Sequence, residues 1–580
     1  MAQEIKSTEP KKTHQRTWQL AENAPASHLE RFRKYPRAVA QLLLNRGITD
    51  PKEAKAFLDP DYASGLEDPA GLKDLASAAG LLHGAIAKRE PVIVHGDYDA
   101  DGLTATALLA DVITRLGGTV DTFIPDRYQD GYGVTTETLK KLKQGGAAVV
   151  VTVDCGISCA PEIAAGRKDG LKIIVTDHHE PPPQVPEAEA VVNPKRPGDG
   201  YPNKELTGVG VAFKLAQALI GRSDLDERER EATEKWLLDL VAIGTVADLA
   251  DLRGENRTLV HFGLTVLRKS PRPGLRALLT AAGVNQEGVT AGTLGYVIAP
   301  RLNAAGRLGG ADDALRLLLA KDLVEAKRLA DALEDRNRER RELTESAVAE
   351  ARERLGRVGD DRAIVIVDGP WKSGIAGLIA GRLSQTYGRP ALVLGREGDV
   401  YTGSARSTAG FHITDALRAH EALLEKFGGH AQAAGLTVSA GKLAKFKRSL
   451  EEFAGQRLGP DDYALVKEID MEIEAKEVTE ELCRYLDRFE PHGRGNPRPS
   501  FLLKGVVVEQ VSTVGVDRRH LKKTLRFPDG RSVPAIAFGE GERAEESVPG
   551  TTLDIVGRPM INEWNGRASL EWRLDDFRGA

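Results

Sequence analysis

Between about residues 76 and 250 the chain alternates short, almost continuous apolar runs with amphipathic stretches. The runs are PVIVHGD (91–97), TVDTFIPD (119–126), AAVVVTVDCG (147–156), LKIIVTDHH (171–179), EAVVNP (189–194) and LVAIGTVAD (240–248). Val- and Ile-rich segments without polar alternation are buried on both faces, so they predict a mostly parallel sheet covered by helices. Upstream, RFRKYPRAVAQLLLNRGI (31–48) and DPKEAKAFLDP (50–60) predict two short helices, the second with Asp50 as N-cap and Pro51 in its first turn. They are expected to pack on the adjoining α/β domain. Residues 251–320 have a mostly helical pattern. Residues 321–356 form one uninterrupted helical pattern, apolar at 323, 326, 330, 333 and again at 343, 347, 351, 355, with a wholly polar middle from Glu334 to Glu342. Such a helix bridges two domains.

A second α/β pattern spans about 360–455, with strands expected at 362–369, 390–395, 400–406 and 434–440. From about 465 the signal becomes short and alternating (FLLKGVVVEQVSTV, TLRFPDG, SVPAIAFG, TLDIVGRPMINEWNGRASLEWRL), which predicts a small antiparallel barrel. The expected division is a disordered lead (1–27), a helical adaptor (28–75), a parallel-sheet α/β domain (76–320), a connecting helix (321–356), a second α/β domain (357–458) and a C-terminal β-barrel (459–580).

Composition narrows the class. A chain of 580 residues holds several cores. Net charge is only −5, so any nucleic-acid surface must be local. Three cysteines, Cys155, Cys159 and Cys483, exclude a disulfide framework and a zinc ribbon and suit a reducing cytosol. The first residues lack the apolar core of a secretory signal, and no apolar run is long enough to span a membrane.

The chemistry sits at the ends of the apolar runs. His95, Asp97, Asp99 and Asp101 follow the first; Asp154 ends another; Asp177, His178 and His179 end a third; Asp248 ends a fourth. Ligands of open α/β sheets sit outside the carboxyl ends of the strands. Carboxylates gathered there repel one another unless a cation neutralises them. The spacing D-x-D-x-D-G also opens a calcium-binding EF-hand loop, but that loop needs a bidentate Glu at its twelfth position, which here is Leu108; its ninth is Ala105. Carboxylates with a few imidazoles and no thiolate suit Mn(II) or Mg(II) over zinc. Six or more donors exceed what one ion takes, so the count favours two ions, about 3.5–4 Å apart and bridged by a carboxylate, of the kind that clamps a phosphoryl group.

The motifs HGDYDADG, VTVDCG, TDHHE and GTVADLADL resemble the four signatures of the DHH phosphoesterase superfamily. Together with RLNAAGRL (301–308), GSARSTAGFHITDAL (403–417), FGGHAQAAGLTV (427–438) and PHGRGNPRPSF (491–501), they resemble its RecJ family of single-strand-specific 5′-3′ exonucleases over about 30–575. The resemblance implies that His95, Asp99 and Asp154 hold one metal and that Asp101, Asp154, His178 and Asp248 hold the other, with Asp154 bridging. His179 then faces the scissile phosphate. Asp97 and Asp177 match no ligand position and are expected to orient the ligands from behind.

Arg301, Asn303 and Arg307 become candidates for substrate phosphates. Ser404, Arg406, Ser407 and His430 become candidates in the second α/β domain, a DHH-associated domain expected to close over the site. The barrel becomes an OB-fold, with Arg518, Arg519, Lys522, Lys523 and Arg526 beside His520 and Phe527 as a single-strand platform. One departure is WKSGIAG (371–377), where the family pattern has Trp-His; Lys372 supplies the charge but not the geometry of a histidine.

The implied function is hydrolysis of single-stranded DNA from its 5′ end to mononucleotides, in recombination and repair. The implied setting is a cytoplasmic monomer working with a helicase and a single-strand-binding protein, away from membranes. Two alternatives are a sibling phosphodiesterase for short oligonucleotides or cyclic dinucleotides, which needs no strand platform, and an inactive replication component, which has no reason to keep every ligand.

Overall fold

The computed structural model describes residues 17–126, 130, 133–463, 466–564 and 567–580. They divide into two compact units: Glu22–Asn337 with Asp470–Ala580, and Arg338–Ile469 with the described residues up to Ala21.

In the larger unit five parallel strands lie in the order Val120–Phe123, Val92–Gly96, Val149–Val153, Lys172–Thr176, Ala190–Val192. The chain leaves Val92–Gly96 for one neighbour and then crosses to Val149–Val153 on the other side. This reversal is the switch point at which open α/β sheets bind ligands. Val149–Val153 is buried at all five positions, as its unbroken Val-rich run requires. The helices Ala100–Arg115 and Gly208–Ile220 are buried along nearly their whole lengths beside it.

LVAIGTVAD is not the expected strand. It forms the helix Leu238–Ala247, buried at every position from Leu238 to Val246. An apolar run of about ten residues with no polar face has the same hydropathy signature in a buried helix and a buried strand, and only packing separates them.

The C-terminal barrel closes through Phe501–Val514, His520–Arg526, Ser532–Ala537, Arg567–Gly579 and Thr552–Trp564, the last pairing back to the first. Residues 565–566, inside the last expected strand segment, lie outside the described residues. The helical pair observed as Arg37–Asn45 and Pro51–Leu58 does not pack only on the adjoining α/β domain. Phe32, Val39, Leu42, Leu43 and Phe57 share one core with Phe501, Leu521, Leu525, Phe527 and Trp572 of the barrel.

One buried arginine fastens this assembly to the parallel-sheet region, and a second ties the helical pair to the segment before the barrel. Arg257, on the helix Gly254–Leu267, donates to five backbone carbonyls, Phe57, Arg488, Phe489, Glu490 and Pro491, at 2.9–3.4 Å, and stacks 3.9 Å from the centre of the Phe57 ring. Burial, with Arg46 nearby, pushes its pKa down to about 9. Arg46 donates to Asn496 Oδ1 and the Pro497 carbonyl, both at 2.6 Å.

The smaller unit holds a mixed sheet in the order Lys426–Gly429, Ala433–Ser439, Val400–Arg406, Ala391–Glu397, Val365–Gly369. Its first strand is short and Gly-containing, and the hydropathy pattern does not show it. The strand Thr17–Leu20 pairs in parallel with Val466–Ile469, so the part of the expected disordered lead from Thr17 onward is ordered; residues 1–16 lie outside the described residues. One helix runs from Leu323 to Leu355. Ala326, Leu329, Ala330 and Leu333 enter the core of the larger unit, and Ala347, Ala351 and Leu355 enter that of the smaller.

Lys523 overturns an expectation. On His520–Arg526 the residues Leu521, Lys523 and Leu525 point inward and Lys522 and Arg526 outward. Lys523 is 2% exposed, hydrogen-bonded to Ser547 and 4.3 Å from the Phe577 ring centre, so it is a core residue and not a strand contact. Phe527 is likewise buried, edge-on to Trp572. The alternation of an extended chain carries this information: residues two apart share a face, and Lys523 stands between two leucines.

This packing sets two expected outcomes. Arg257→Ala leaves several buried carbonyls without donors and should cost at least ~3 kcal/mol of unfolding free energy in urea titration. Burial, followed by the positive Arg543, pushes the Lys523 pKa down to about 8, against ~10.4 in the unfolded chain. A lysine depressed in the folded state destabilises it fully below the folded value, and the penalty fades as pH rises toward the unfolded one. Stability should therefore climb between pH ~8 and ~10.4 by up to ~3 kcal/mol. Lys523→Met should remove that slope and raise the melting temperature at neutral pH.

Candidate metal centre

Strand register brings the acids together. Gly96 pairs with Val153, and Val153 with Thr176. The next residue on each strand is an aspartate, so Asp97, Asp154 and Asp177 leave the sheet at one level. Asp154 does so at φ +60°, a left-handed conformation that strains a non-glycine residue and is characteristic of functional sites. The chain then passes so close that a Cβ on Gly208 would lie 2.5 Å from Cβ of Asp154, and one on Gly102 would lie 2.5 Å from the Asp97 carbonyl oxygen. Only glycine permits either approach.

Each ligand candidate is fixed by its backbone surroundings. Asp99 is the N-cap of Ala100–Arg115, its Oδ1 accepting from the N–H groups of Asp101 and Gly102 at 2.9 and 3.1 Å. Asp101 accepts from Gly208 N at 2.6 Å and Val209 N at 2.9 Å, the positive N-terminus of the helix Gly208–Ile220. Asp248 is the C-cap residue of Leu238–Ala247 and arrives from a helix end, not from the strand end expected of it. His178 Nε2 lies 3.1 Å from Asp154 Oδ1, 3.8 Å from Asp248 Oδ2 and 3.9 Å from Asp101 Oδ2. A hydrogen bond to the Leu206 backbone holds the ring.

Three sets of donor atoms lie within 4.8 Å of one another: Asp97, Asp99 and Asp154; Asp101, His178 and Asp248; Asp154, His178 and His179. Resemblance implies a place for Asp97 behind the ligands, but its carboxylate stands among the donors. His95 stands outside all three sets. It is fully buried, its Nδ1 3.8 Å from Cys155 Sγ and its Nε2 without a hydrogen-bond partner. Asp177 has the supporting position: its carboxylate accepts from Ile157 N, His178 N, His179 N and His179 Nδ1 at 2.7–3.1 Å.

The electrostatics call for cations. Burial first, and then neighbouring carboxylates, hold Asp101 and Asp154 well above the usual carboxylate range, and the same causes push Asp248 up to about 7. Burial, reinforced by His179, pushes His178 down to about 3, and burial pushes His95 down to about 4, so both rings are neutral lone-pair donors. His179 is opposed by burial, yet its bond to Asp177 and the surrounding acids carry it up to about 9. The neutral His178 imidazole, facing carboxylates about 3–4 Å away, matches the spacing of neighbouring ligands on one ion of the Mn(II) or Mg(II) type. The residues present fit two such ions.

The other expected contacts divide. Arg301 is 8% exposed and engaged within the fold, its Nε donating to Glu334 at 2.5 Å and its Nη1 to the Val297 carbonyl at 2.7 Å. Asn303 Oδ1 accepts from Ala100 N at 2.7 Å and steadies the loop that carries Asp97 and Asp99. Arg307 is half-buried near the end of Ala299–Leu308.

In the smaller unit Arg406 Nη1 donates to Ser404 Oγ at 3.1 Å, and its Nη2 lies 2.9 Å from where a Cβ on Gly377 would sit, against the first turns of the helix Ser373–Tyr387. Ser407 Oγ donates to the Phe411 carbonyl, while His430 is exposed. Arg518, Arg519 and Lys522 are exposed on the barrel. Lys195, outside the quoted motifs, and Arg494, within PHGRGNPRPSF but given no role by it, both lie near enough to Asp248 to oppose the rise in its pKa. Neither is visible in sequence spacing, since each reaches the site from a loop fixed by tertiary contacts.

Family models for the DHH N-terminal domain, the DHHA1 domain and the RecJ OB domain match residues 91–245, 360–456 and 469–576. The single-stranded-DNA-specific exonuclease RecJ of Bacillus subtilis is 38% identical over 554 residues, 93% of this chain and 69% of that protein. The crystal structure of RecJ in complex with Mn2+ from Thermus thermophilus superposes with TM-score 0.82 at 32% identity, covering 97% of this chain and 80% of that one. The corresponding Mg2+ complex gives 0.76 at 30% identity, covering 97% and 78%. The ordered DHH, DHHA1 and OB domains, together with these relatives, make the chain a member of the RecJ family of DHH phosphoesterases.

Proposed function

We propose that the chain is a divalent-metal-dependent exonuclease that removes 5′ mononucleotides from single-stranded DNA. The observation that carries this reading is the position of Asp154, whose carboxylate belongs to two donor sets at once. Asp97, Asp99 and Asp154 would hold one ion, and Asp101, Asp154, His178 and Asp248 the other; His95, whose buried Nε2 has no hydrogen-bond partner, is a further candidate donor for the first. When bound, such a pair supplies positive charge to the phosphate oxygens and acidifies water at neutral pH.

The protein's own groups do the rest. Asp177 accepts the Nδ1 proton of His179 in a hydrogen bond and leaves Nε2 to donate to a phosphate oxygen. The helix Gly208–Ile220 fixes Asp101 through two N–H groups, so this ligand needs no reorganisation when substrate arrives. Asn303 and the N-cap of Asp99 hold the loop against the sheet. Lys195 and Arg494 add positive charge for an incoming polyanion.

Arg406 and Ser404, with Ser407 and His430 near them in the smaller unit, are the proposed anchors for the terminal phosphate. Arg518, Arg519 and Lys522 are proposed to track the backbone on the barrel. The finer setting we infer is a monomer in the cytoplasm that takes over a strand opened by a helicase or coated by a single-strand-binding protein. No described helix is long and apolar enough to cross a membrane.

The test is release of mononucleotides from labelled single-stranded and duplex oligonucleotides with Mn(II), Mg(II) or chelator. Single strands labelled at the 5′ end should be degraded, and chelator should stop the reaction. Asp154→Asn should lower the rate by at least about a hundredfold and weaken Mn(II) binding in calorimetry; wild-type activity in that variant would refute the bridging role. Asp97→Asn tests whether this carboxylate belongs to the centre. Its loss should lower Mn(II) affinity in the same titration by at least about tenfold, since Asp97 either binds the ion or orients the groups that do, whereas unchanged affinity would remove it from the metal centre and separate it from both roles.

A further inference from the structure

The motif PHGRGNPRPSF carries Arg494, which acts on Asp248, and a second arginine, Arg498, that the metal centre leaves over. Its loop is rigid. Asn496 donates to the carbonyls of Phe489 and Pro491 at 2.7 and 2.9 Å, Arg46 grips Asn496 and Pro497, and Leu252 N donates to the Arg494 carbonyl at 2.8 Å. Arg494 is thereby held, exposed, against the segment after Asp248. Arg498 is exposed as well and reaches the other way. Its Nη2 lies 2.9 Å from where a Cβ on Gly292 would sit.

Gly292 leads into the π-helical turn Leu294–Ile298. Within that turn a Cβ on Gly295 would lie 3.5 Å from Cγ1 of Val246, two residues before Asp248. The next residue, Tyr296, is 85% exposed. Single π-turns recur at functional sites, and an exposed tyrosine four residues beyond the glycine that Arg498 approaches is an unusual use of surface unless something covers it. Beyond Arg498 the same chemistry continues. Arg558 and Arg573 are cross-strand partners on the barrel, close enough to Arg498 to feel its charge, and Arg573 stacks 3.8 Å from the centre of the half-exposed Phe538 ring.

Building on the exonuclease reading, we propose that Tyr296 and Arg498 form a single-strand binding step between the barrel and the metal centre, with Tyr296 stacking a base and Arg498, aided by Arg494, holding the adjoining phosphates. Alternating rings and guanidinium groups suit a flexible polyanion whose bases all present π-faces, and no base-specific contact is required.

Binding of a labelled oligothymidylate of about 20 nucleotides to the full chain, followed by fluorescence anisotropy in EDTA across a salt series, decides the matter. Tyr296→Ala should weaken binding on the order of ten- to a hundredfold without changing the salt slope, and Tyr296→Phe should restore it. Arg498→Ala should make the slope of log K against log salt shallower by about 0.7. Wild-type affinity and slope in Tyr296→Ala and Arg498→Ala would overturn the proposal, as would failure of Tyr296→Phe to rescue. A wild-type protein that binds the strand yet releases no nucleotide with Mn(II) overturns the exonuclease reading alone, and the binding comparison still decides this one.

Discussion

The repulsion among buried carboxylates at one end of a parallel sheet is the constraint on which the rest of the larger unit depends. Asp97, Asp101 and Asp154 are each buried, and burial together with like charge makes ionisation of Asp101 and Asp154 costly. A fold that gains stability from its core has no reason to gather them. They persist because their surroundings are arranged to hold them: an N-cap for Asp99, a helix N-terminus for Asp101, a left-handed backbone for Asp154, and three backbone N–H groups with the His179 ring for Asp177. Each device satisfies part of a carboxylate and leaves the rest directed at its neighbours. The cluster is thus pre-organised for cations and unstable without them.

This constraint also explains the division between the two histidines of the TDHHE motif. The rings are adjacent, with centroids 4.5 Å apart, yet their environments drive them in opposite directions. Burial and the charge of its neighbour keep His178 neutral, so its Nε2 can be a ligand. The Asp177 hydrogen bond keeps a proton on His179, so it can act as a donor. Two titratable groups pushed apart by environment is the pattern by which one site divides its roles.

Much of this is legible in the sequence, for identifiable reasons. The strands that carry His95, Asp154 and Asp177 are short, Val-rich and bounded by charge, so the fold class and the acidic edge of the sheet can both be read from periodicity and placement. The Leu323–Leu355 helix declares its two packing faces through the gap between its apolar stretches. What the pattern misses is three-dimensional in origin. The run before Asp248 reads as a strand because a buried helix without a polar face has no period to detect. Family pattern puts Asp97 behind the ligands, whereas its level with Asp154 follows from strand pairing. The bond that engages Arg301 is equally hidden, because its partner Glu334 lies 33 residues away. Lys523 differs from these, since the alternation Leu521, Lys523, Leu525 stands in the sequence and already points the lysine inward.

The barrel's place in the larger unit follows from the same need to satisfy buried polar groups. A linker-tethered strand platform would deliver a substrate to the metals only by chance, at an effective concentration set by chain flexibility. Here the connection is a set of hydrogen bonds that cannot be left half made. Arg257 satisfies five carbonyls between Phe57 and Pro491, and Arg46 closes the next turn through Asn496 and Pro497. These contacts are interior, so breaking them exposes unsatisfied donors and acceptors together, and the joint is rigid where a surface ion pair would not be. A rigid joint fixes the distance from Phe538 through Tyr296 to Asp248. That fixed distance is what allows a surface of mild overall charge to guide a polyanion by position, with a few well-placed arginines in place of a general excess of positive charge.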